Sequence, residues 1–248
     1  MFSLIRTFAT KQKQIKKKDD DTQLNFGFWK TLTQATIVNL TLEGTGKYEV
    51  KKQTNNTAHV GGMAGEVSSG SLIQNCKVNM DIYFRRGKAS SLVSAASSGF
   101  EETIRNQNTG SYVGGIVGWL KKGYIRNCIN LGSIRYYVRE TSWVSQGLIL
   151  GGIAGYCEGI YIWDKEPIIE YCENLSPLIK VVESNVSDDF YSYKWISWIS
   201  YNGNPLCCRS VVGEMSVDVT SHDGVPVLYL SGISASGRST NCYSVSRG

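Results

Sequence analysis

A glycine-rich element, Gly-Gly-x-x-Gly, recurs three times in the chain and constrains the fold more than any other feature. A short apolar segment that ends in cysteine follows each copy. Gly62 precedes Asn75 of that segment by 13 residues, and the distance from Gly115 to Asn127 is 12 residues. A repeated spacing of this kind indicates an array of similar structural units. The three copies are Val60–Gly65 with Ile73–Cys76, Val113–Gly118 with Ile125–Cys128, and Leu150–Gly155 with Ile169–Cys172.

Two degenerate copies flank the three clear ones. Phe26–Trp29 with Ile37–Leu40 precede them, and Gly232–Ala235 with Thr240–Cys242 follow them. Each copy joins a β-branched or alternating run, a tight apolar turn and a second short run, and both runs have the length of a β-strand. We therefore count about five units along the chain.

The units predict an all-β fold, a right-handed parallel β-helix (solenoid) of about five irregular coils with inserted loops. A single unit has no partner for its apolar face, whereas stacked units share one core and pair as parallel strands. Glycine at the corners allows positive φ and a close approach of neighbouring coils. We expect the asparagine of each Asn-Cys pair to stack on its counterpart in the next coil. The cysteines at equivalent positions, 76, 128, 172 and 242, are expected to fill the interior.

These motifs resemble the GLUG-type repeats of bacterial secreted and cell-surface proteins. The elements Gly-Met-Ala-Gly, Gly-Ile-Val-Gly and Gly-Ile-Ala-Gly carry the resemblance, each followed by Ile-x-Asn-Cys or a variant of it. The resemblance covers roughly residues 24–248, and it implies a β-solenoid stalk or an adhesin-like surface. It brings no catalytic residues with it.

The first residues differ in character from the rest of the chain. Met1–Lys18 contains six basic residues and no acid, and Phe2, Ile5 and Phe8 are spaced to share one helical face. The run Arg6–Thr10 resembles a mitochondrial presequence cleavage site, and the apolar stretch of a secretory signal does not follow. We divide the chain into a basic leader or tail, residues 1–22, for which targeting and a solvated tail are both open, and a solenoid domain, residues 23–248.

Irregular spacing between the copies indicates two insertions, near residues 84–108 and 177–215. The first combines basic residues with a Ser/Ala-rich run and is interpreted as a flexible loop. The second alternates aromatic residues, which form either a hairpin packed on the solenoid or a protein-binding surface. The candidate interaction residues, which include two lysines between the insertions, are Arg85, Arg86, Lys88, Lys121, Lys122, Tyr191, Tyr193, Trp195 and Trp198.

Charge is distributed unevenly along the chain. Residues 84–139 hold nine bases and two acids, whereas residues 140–248 hold six bases and twelve acids. A basic segment of this kind is a candidate contact for RNA or anionic lipid, and a solvated charged face is the alternative. The longest uncharged apolar run, Leu148–Cys157, is too short for a transmembrane helix.

The sequence assembles no catalytic constellation, and we assign no catalytic residue, cofactor or metal. The glycine element recurs and precedes a strand, unlike a dinucleotide fingerprint. The seven cysteines include no Cys-x-x-Cys pair and are expected to be free thiols in a reducing compartment. Carbohydrate-active β-helix enzymes use clustered carboxylates, whereas the acids here are scattered, and a carbohydrate-active enzyme is kept as a second alternative on two pairs that lie in insertions, Asp164 with Glu166 and Asp188 with Asp189.

We therefore expect a non-enzymatic structural or interaction subunit of a large mitochondrial protein assembly. A respiratory-chain complex, ATP synthase and the ribosome are the assemblies considered, with a location in the matrix or peripheral to the inner membrane. Its partners would be other protein subunits. The first alternative is a cell-surface, adhesin-like β-solenoid exposed outside the cell.

Overall fold

The computed structural model describes residues 4–9, 24–50, 57–86, 110–141, 147–158, 167–186, 193–221, 227–234 and 239–246. Their regular structure is β-strand, and the strands form four sheets whose paired strands run parallel. The prediction of an all-β parallel solenoid is confirmed.

The first two sheets are built from short strands that follow one another across the Gly-Gly turn. The first sheet contains β2 (Leu24–Phe26), β6 (Ala58–Gly61), β10 (Ser111–Gly114), β15 (Leu148–Gly151), β20 (Tyr193–Ser197) and β25 (Val227–Ser231). The second sheet contains β3 (Trp29–Thr33), β7 (Ala64–Ser68), β11 (Val117–Leu120), β16 (Ala154–Cys157) and β21 (Ser200–Tyr201).

The remaining strands form a narrow third sheet and a wide fourth sheet. The third contains β4 (Thr36–Val38), β8 (Leu72–Gln74), β12 (Tyr124–Arg126), β17 (Ile168–Glu170) and β22 (Pro205–Leu206). The fourth contains β1 (Leu4–Ala9), β5 (Leu40–Val50), β9 (Lys77–Arg86), β13 (Ile129–Asn130), β14 (Ile134–Thr141), β18 (Glu173–Asn174), β19 (Leu178–Val186), β23 (Arg209–Val212), β24 (Glu214–Ser221) and β26 (Tyr243–Ser246).

The chain visits the four sheets in turn, and each passage is one coil of the solenoid. The described part of the chain forms six coils, which begin and end at 24–50, 58–86, 111–141, 148–186, 193–221 and 227–246. In the sixth coil, isolated bridges from Ser234 to Ser200 and from Thr240 to Leu206 replace the strands of the second and third sheets. The count exceeds the five recognised repeats by one.

The additional coil is the fifth, and it occupies most of the stretch interpreted as the second insertion. Its strands β20 to β24 pair in register with those of the fourth coil, and β19 of the fourth coil begins at Leu178. The repeat was missed because Ser197 takes the place of Gly151, with which it pairs, and Trp198 follows where the second to fourth coils have the second glycine of the pair. The stretch 177–215 is therefore solenoid wherever the structure describes it.

The first insertion also begins later than expected. Residues 84–86 are the end of β9, and the Phe84 side chain is fully buried. Residues 87–109 lie outside the described residues.

The coils enclose two hydrophobic cores. The first core lies among the second and third sheets and the beginning of the fourth, and Ile73, Ile125 and Ile169 stack within it. The second core lies between the first sheet and the rest of the fourth, where Val60 and Val113 stack opposite Phe84. Strand β9 supplies both cores, through Val78 to the first and Ile82 to the second.

The repeated glycines serve close packing, and the prediction that they supply positive φ is wrong. Among the described glycines, positive φ occurs at Gly44, Gly70 and Gly123, outside the Gly-Gly-x-x-Gly elements. A Cβ on Gly114 would overlap the carbonyl oxygen of Val117, and one on Gly118 would overlap the backbone nitrogen of Val60. No side chain fits at these positions because backbone occupies the space.

Positive φ occurs instead at the corner between the third and fourth sheets, at Asn39 and at the residues before Cys76, Cys128, Cys172, Cys208 and Cys242. Asn75 has φ 54° and Asn127 has φ 48°, and both side chains are exposed. Asparagine tolerates this left-handed conformation better than most residues. The expected ladder of these asparagines is therefore wrong, because they lie on the outside as corner residues.

A hydrogen-bonded amide ladder is present at another position, three residues further along the chain. The buried Asn130 Nδ2 donates to Asn174 Oδ1 at 2.9 Å, and Asn174 Nδ2 donates to Ser210 Oγ at 3.1 Å. The three residues are in register on β13, β18 and β23. These hydrogen bonds pair buried amide and hydroxyl groups that would destabilise the interior if they had no partner.

The cysteines line the interior as expected, in a column of five. The fifth member is Cys208, which the sequence analysis did not include because its coil had not been recognised. Each thiol lies near a backbone carbonyl oxygen of the preceding coil, for example 3.6 Å from Cys128 Sγ to Ile73 O. All seven cysteines are free, and burial raises the pKa of Cys157, which lies outside the column, to about 12.

The amphipathic helix expected at the N-terminus is replaced by a strand where the structure describes the segment. Strand β1 pairs in parallel with β5, with Leu4 opposite Leu40 and Ala9 opposite Thr45. Residues 1–3 and 10–23 lie outside the described residues, so the assignment of 1–22 as a leader stays a prediction.

Candidate interaction surface

Two outward-facing columns of side chains run along the solenoid where the first and second sheets meet. Register pairing aligns the members of each column from coil to coil. The first-sheet column is Asn25, His59, Tyr112, Ile149, Trp195 and Tyr229, and the second-sheet column is Thr31, Glu66, Trp119, Tyr156 and Tyr201. The ring-bearing members, His59, Tyr112, Trp119, Tyr156, Trp195, Tyr201 and Tyr229, are called the aromatic row below.

The rings of the aromatic row contact one another without interruption from the second coil to the sixth. His59 stacks on Tyr112 with ring centroids 5.2 Å apart, and Tyr112 stacks on Tyr156 at 4.7 Å. Tyr156 then stacks on Tyr201 at 5.8 Å. Trp195 continues the row, at 5.8 Å from Tyr201 and 5.8 Å from Tyr229. These separations are those of favourable aromatic pairs.

Glycines in the second sheet explain why the two columns meet. Gly118 precedes Trp119 and Gly155 precedes Tyr156. A Cβ at Gly155 would lie 2.6 Å from the backbone nitrogen of Val113 in the first sheet. Because the two sheets touch along this line of glycines, the side chains beside it fill the angle between the sheets and are half-buried against each other.

One end of the aromatic row contains a buried polar cluster around His59. His59 is fully buried, and its Nδ1 lies 2.7 Å from Asn25 Oδ1. The Asn25 amide nitrogen donates to Thr31 and Glu66, which leaves Asn25 Oδ1 as the acceptor and places the proton of His59 on Nδ1. Burial, with the nearby charge of Lys121, lowers the pKa of His59 to about 3, so the ring is neutral at physiological pH.

Lys121 lies on the solvent side of this cluster. Its Nζ lies 3.1 Å from Glu66 Oε1 and 4.0 Å from the centroid of the Trp119 ring. A lysine that combines an ion pair with a cation–π contact orders the side chains at the surface. Burial raises the pKa of Tyr112 to about 12, so this hydroxyl stays neutral.

The structure separates the candidate residues predicted from the sequence. Trp195 lies in the aromatic row, Lys121 lies beside it, and the exposed Lys122 follows in the next turn. Trp198 is half-buried against the second core, where it contributes to packing.

The other candidates lie elsewhere or outside the described residues. Arg85 is exposed near the end of β9 in the fourth sheet, and Arg86 is the last residue of that strand. Tyr193 begins β20. Lys88 and Tyr191 lie outside the described residues.

Several bases of the segment 84–139 are paired with acids on neighbouring coils. Besides Lys121 with Glu66, Arg126 pairs with Glu170, and Arg135 Nη1 lies 3.8 Å from Asp81 Oδ2. These contacts reduce the positive charge that this part of the solenoid offers to an external anion.

Sequence reasoning missed most of the aromatic row, although the repeats contained the signal. Tyr112 stands two residues before the Gly-Gly pair of its repeat, as His59 does in the previous copy. Trp119 and Tyr156 each follow the last glycine of their element. Aligning the repeats by column, instead of searching for runs of aromatic residues, would have found these positions.

Within the residues that the structure describes, no helix has the length and apolarity needed to cross a membrane. No group of three or more His, Cys, Asp or Glu side chains in the same residues is arranged to hold a metal ion.

No protein-family model matches the chain, and comparisons with curated proteins and with solved structures find no significant match.

Proposed function

We propose that the protein is a structural interaction subunit that docks another protein on the aromatic row, within a large mitochondrial assembly. The observation that carries the proposal is the continuity of the row over five coils. Each ring is already packed against a neighbouring ring, so less side-chain entropy remains to be lost on binding.

The chemistry of the row fits a protein partner. Aromatic residues are enriched in the cores of protein interfaces because they combine a large apolar area with few rotatable bonds. Tyrosine hydroxyls and Lys121 supply polar contacts at the edge of the surface. A partner would cover rings that are now half-buried. The backbone of the solenoid would not have to rearrange for this partner to bind.

Binding can be tested by affinity capture with the purified chain and a matched pair of variants. Trp195→Ala removes the ring that joins Tyr201 to Tyr229, and we expect it to weaken capture of the partner at least about tenfold. Tyr124→Ala removes an outward ring of the third sheet and is the control. Equal capture by the wild type and both variants would contradict docking on the row.

The mitochondrial part of the proposal rests on the basic leader, and it has a separate test. A fusion of residues 1–22 to a fluorescent reporter is expected to enter mitochondria, and the native chain is expected to cofractionate with a large assembly. Retention of the reporter in the cytosol, or its secretion, would contradict this location without affecting the docking surface.

A cell-surface adhesin remains the second candidate because one sequon is accessible. Asn39, in Asn39-Leu40-Thr41, is exposed at a corner of the first coil. A secreted mature form carrying a glycan at Asn39 would favour the adhesin over the mitochondrial subunit.

A further inference from the structure

The interior of the solenoid contains a column of thiols at the corner between the third and fourth sheets. One cysteine per coil stands directly before a fourth-sheet strand, and the first residues of these strands pair in register from the second coil to the sixth. The side chains of neighbouring cysteines interact directly along the column. The four members that are at most 2% exposed are called the thiol column below: Cys76, Cys128, Cys172 and Cys208.

The spacing of the thiol column is too long for a disulfide and matches a metal ion held by two sulfurs. In-register neighbours on adjacent strands lie about 4.8 Å apart, whereas the Cβ atoms of a disulfide are about 3.8 Å apart. A metal–thiolate bond is about 2.3 Å long, so two sulfurs on opposite sides of one ion are separated by about 4.6 Å. Neighbouring cysteines project in the same direction from parallel strands, so an ion between them meets each sulfur from the side, where the lone pairs lie.

The arrangement of the thiols in a line selects the metal. Soft thiolate ligands favour Cu(I), zinc and iron–sulfur clusters. Structural zinc sites and iron–sulfur clusters take four protein ligands, and in the described part of the chain no three His, Cys, Asp or Glu side chains could hold one ion together. Of these metals, Cu(I) is the one that forms stable linear complexes with two sulfurs, so it is the ion that this geometry fits.

Backbone carbonyl oxygens surround the thiol column and make it suitable for a cation. Cys128 Sγ lies 3.0 Å from Arg126 O and 3.6 Å from Ile73 O of the preceding coil. The other three thiols have the equivalent two contacts, at 3.2 to 3.7 Å. Because carbonyl oxygens carry partial negative charge, they stabilise a positive ion between the sulfurs, and they disfavour a thiolate that has no ion beside it.

We propose that the thiol column binds Cu(I), with one ion between Cys76 and Cys128 and one between Cys172 and Cys208. Each ion replaces the proton of one thiol, which passes to solvent, and the second sulfur binds through a lone pair as a neutral thiol. The net charge of the interior is then unchanged, which avoids the cost of burying an uncompensated charge. Copper stays in the Cu(I) state throughout, so the step needs no oxidant or reductant. The site is independent of docking on the aromatic row.

Burial of the thiol column means that the ion enters as the coils form. The four thiols are closed to solvent in the folded chain, so a chain refolded in the presence of Cu(I) is loaded faster than the folded apoprotein. The unfolded chain does not hold these thiols in pairs. An ion that joins two coils therefore stabilises the folded state, and the loaded chain should unfold at a higher urea concentration than the apoprotein.

Two double variants that each lose two thiols test the site. The full chain is refolded without oxygen in the presence of Cu(I), and a chelator specific for Cu(I) then measures the affinity by competition. Cys128→Ser with Cys208→Ser leaves no two interior cysteines adjacent, and we expect it to bind Cu(I) at least about a hundredfold more weakly, since loss of even an outer-shell partner reduces metal affinity ten- to hundredfold.

The matched control is Cys157→Ser with Cys207→Ser, which removes one buried and one half-buried thiol outside the column. It should bind Cu(I) as the wild type does, with circular dichroism as the check that both variants fold. A refolded wild type without bound Cu(I), or equal affinities of the two double variants, would overturn the proposal.

X-ray absorption of the Cu(I)-loaded wild type tests the geometry without any variant. We expect two sulfur ligands at about 2.3 Å and the spectrum of linear, two-coordinate Cu(I). Coordination by three or four sulfurs, or by nitrogen or oxygen, would overturn the binding of copper between paired thiols of the column.

Discussion

At the residue scale, the corner between the third and fourth sheets selects for a side chain that tolerates left-handed backbone. Asparagine fills this corner in four coils, whereas Tyr171 has φ 54° and Cys207 has φ 50°. For a residue without a short polar side chain, this conformation has a higher free energy. The exposed Tyr171 is therefore a local site of strain that the packing of the coils sustains.

Replacement of Tyr171 by asparagine should stabilise the protein. We expect Tyr171→Asn to raise the free energy of unfolding by about 1 kcal/mol, since asparagine relieves the strain and the exposed ring loses little packing. The reciprocal change Asn127→Tyr should lower it by a similar amount. Urea denaturation measures both, and a decrease with Tyr171→Asn would show that the ring contributes more than the strain costs.

His59 should make stability depend on pH. The unfolded chain protonates this histidine near its ordinary pKa of 6.5, whereas the folded protein holds the pKa near 3. Between these values the unfolded state binds more protons, so the free energy of unfolding falls as pH falls, by about 1 kcal/mol per unit. His59→Asn should flatten this slope between about pH 6 and 4 in urea titrations. An unchanged slope would assign the acid sensitivity to other groups.

At the element scale, glycines allow the contact between the first and second sheets because they have no side chain. The backbone of the other sheet occupies the space where a Cβ would lie, and the conformational flexibility of glycine plays no part. Gly118 lies against Val60 of the preceding coil, and Gly155 lies against Val113. The sequence identified these glycines as repeat markers. The sequence alone could not show whether these glycines lie at a turn between strands or along the contact between two sheets, because both positions favour a residue without a side chain.

Substitution of a contact glycine should be far more damaging than substitution of an exterior one. We expect Gly118→Ala to cost about 3 kcal/mol or more, because its methyl group would displace the backbone of β6. Gly147→Ala, whose Cβ would meet only a Trp195 ring carbon at 4.0 Å, should change stability by less than about 0.5 kcal/mol. Thermal denaturation of both variants makes the comparison, and similar losses would contradict the close contact of the two sheets.

At the scale of the whole molecule, the sequence predicts the architecture better than the number of coils or the surface. Stacked parallel coils follow from the repeats and are confirmed. The fifth coil was hidden because Ser197 and Trp198 replace its glycine pair, while its core residues Ile196 and Ile199 keep the pattern. The aromatic row depends on register between coils, which spacing along one chain does not reveal.

The long strands of the fourth sheet also determine how the molecule bears load. In β9 the same ten-residue strand enters the first core at Val78 and the second core at Phe84. A force that draws the two cores apart is thus resisted at this coil by covalent bonds along the chain, and not by side-chain contact alone. In the third coil this strand is divided into β13 and β14 at Gly132, which is buried against the backbone of Met80, so the covalent link between the two cores is kept there without one uninterrupted strand.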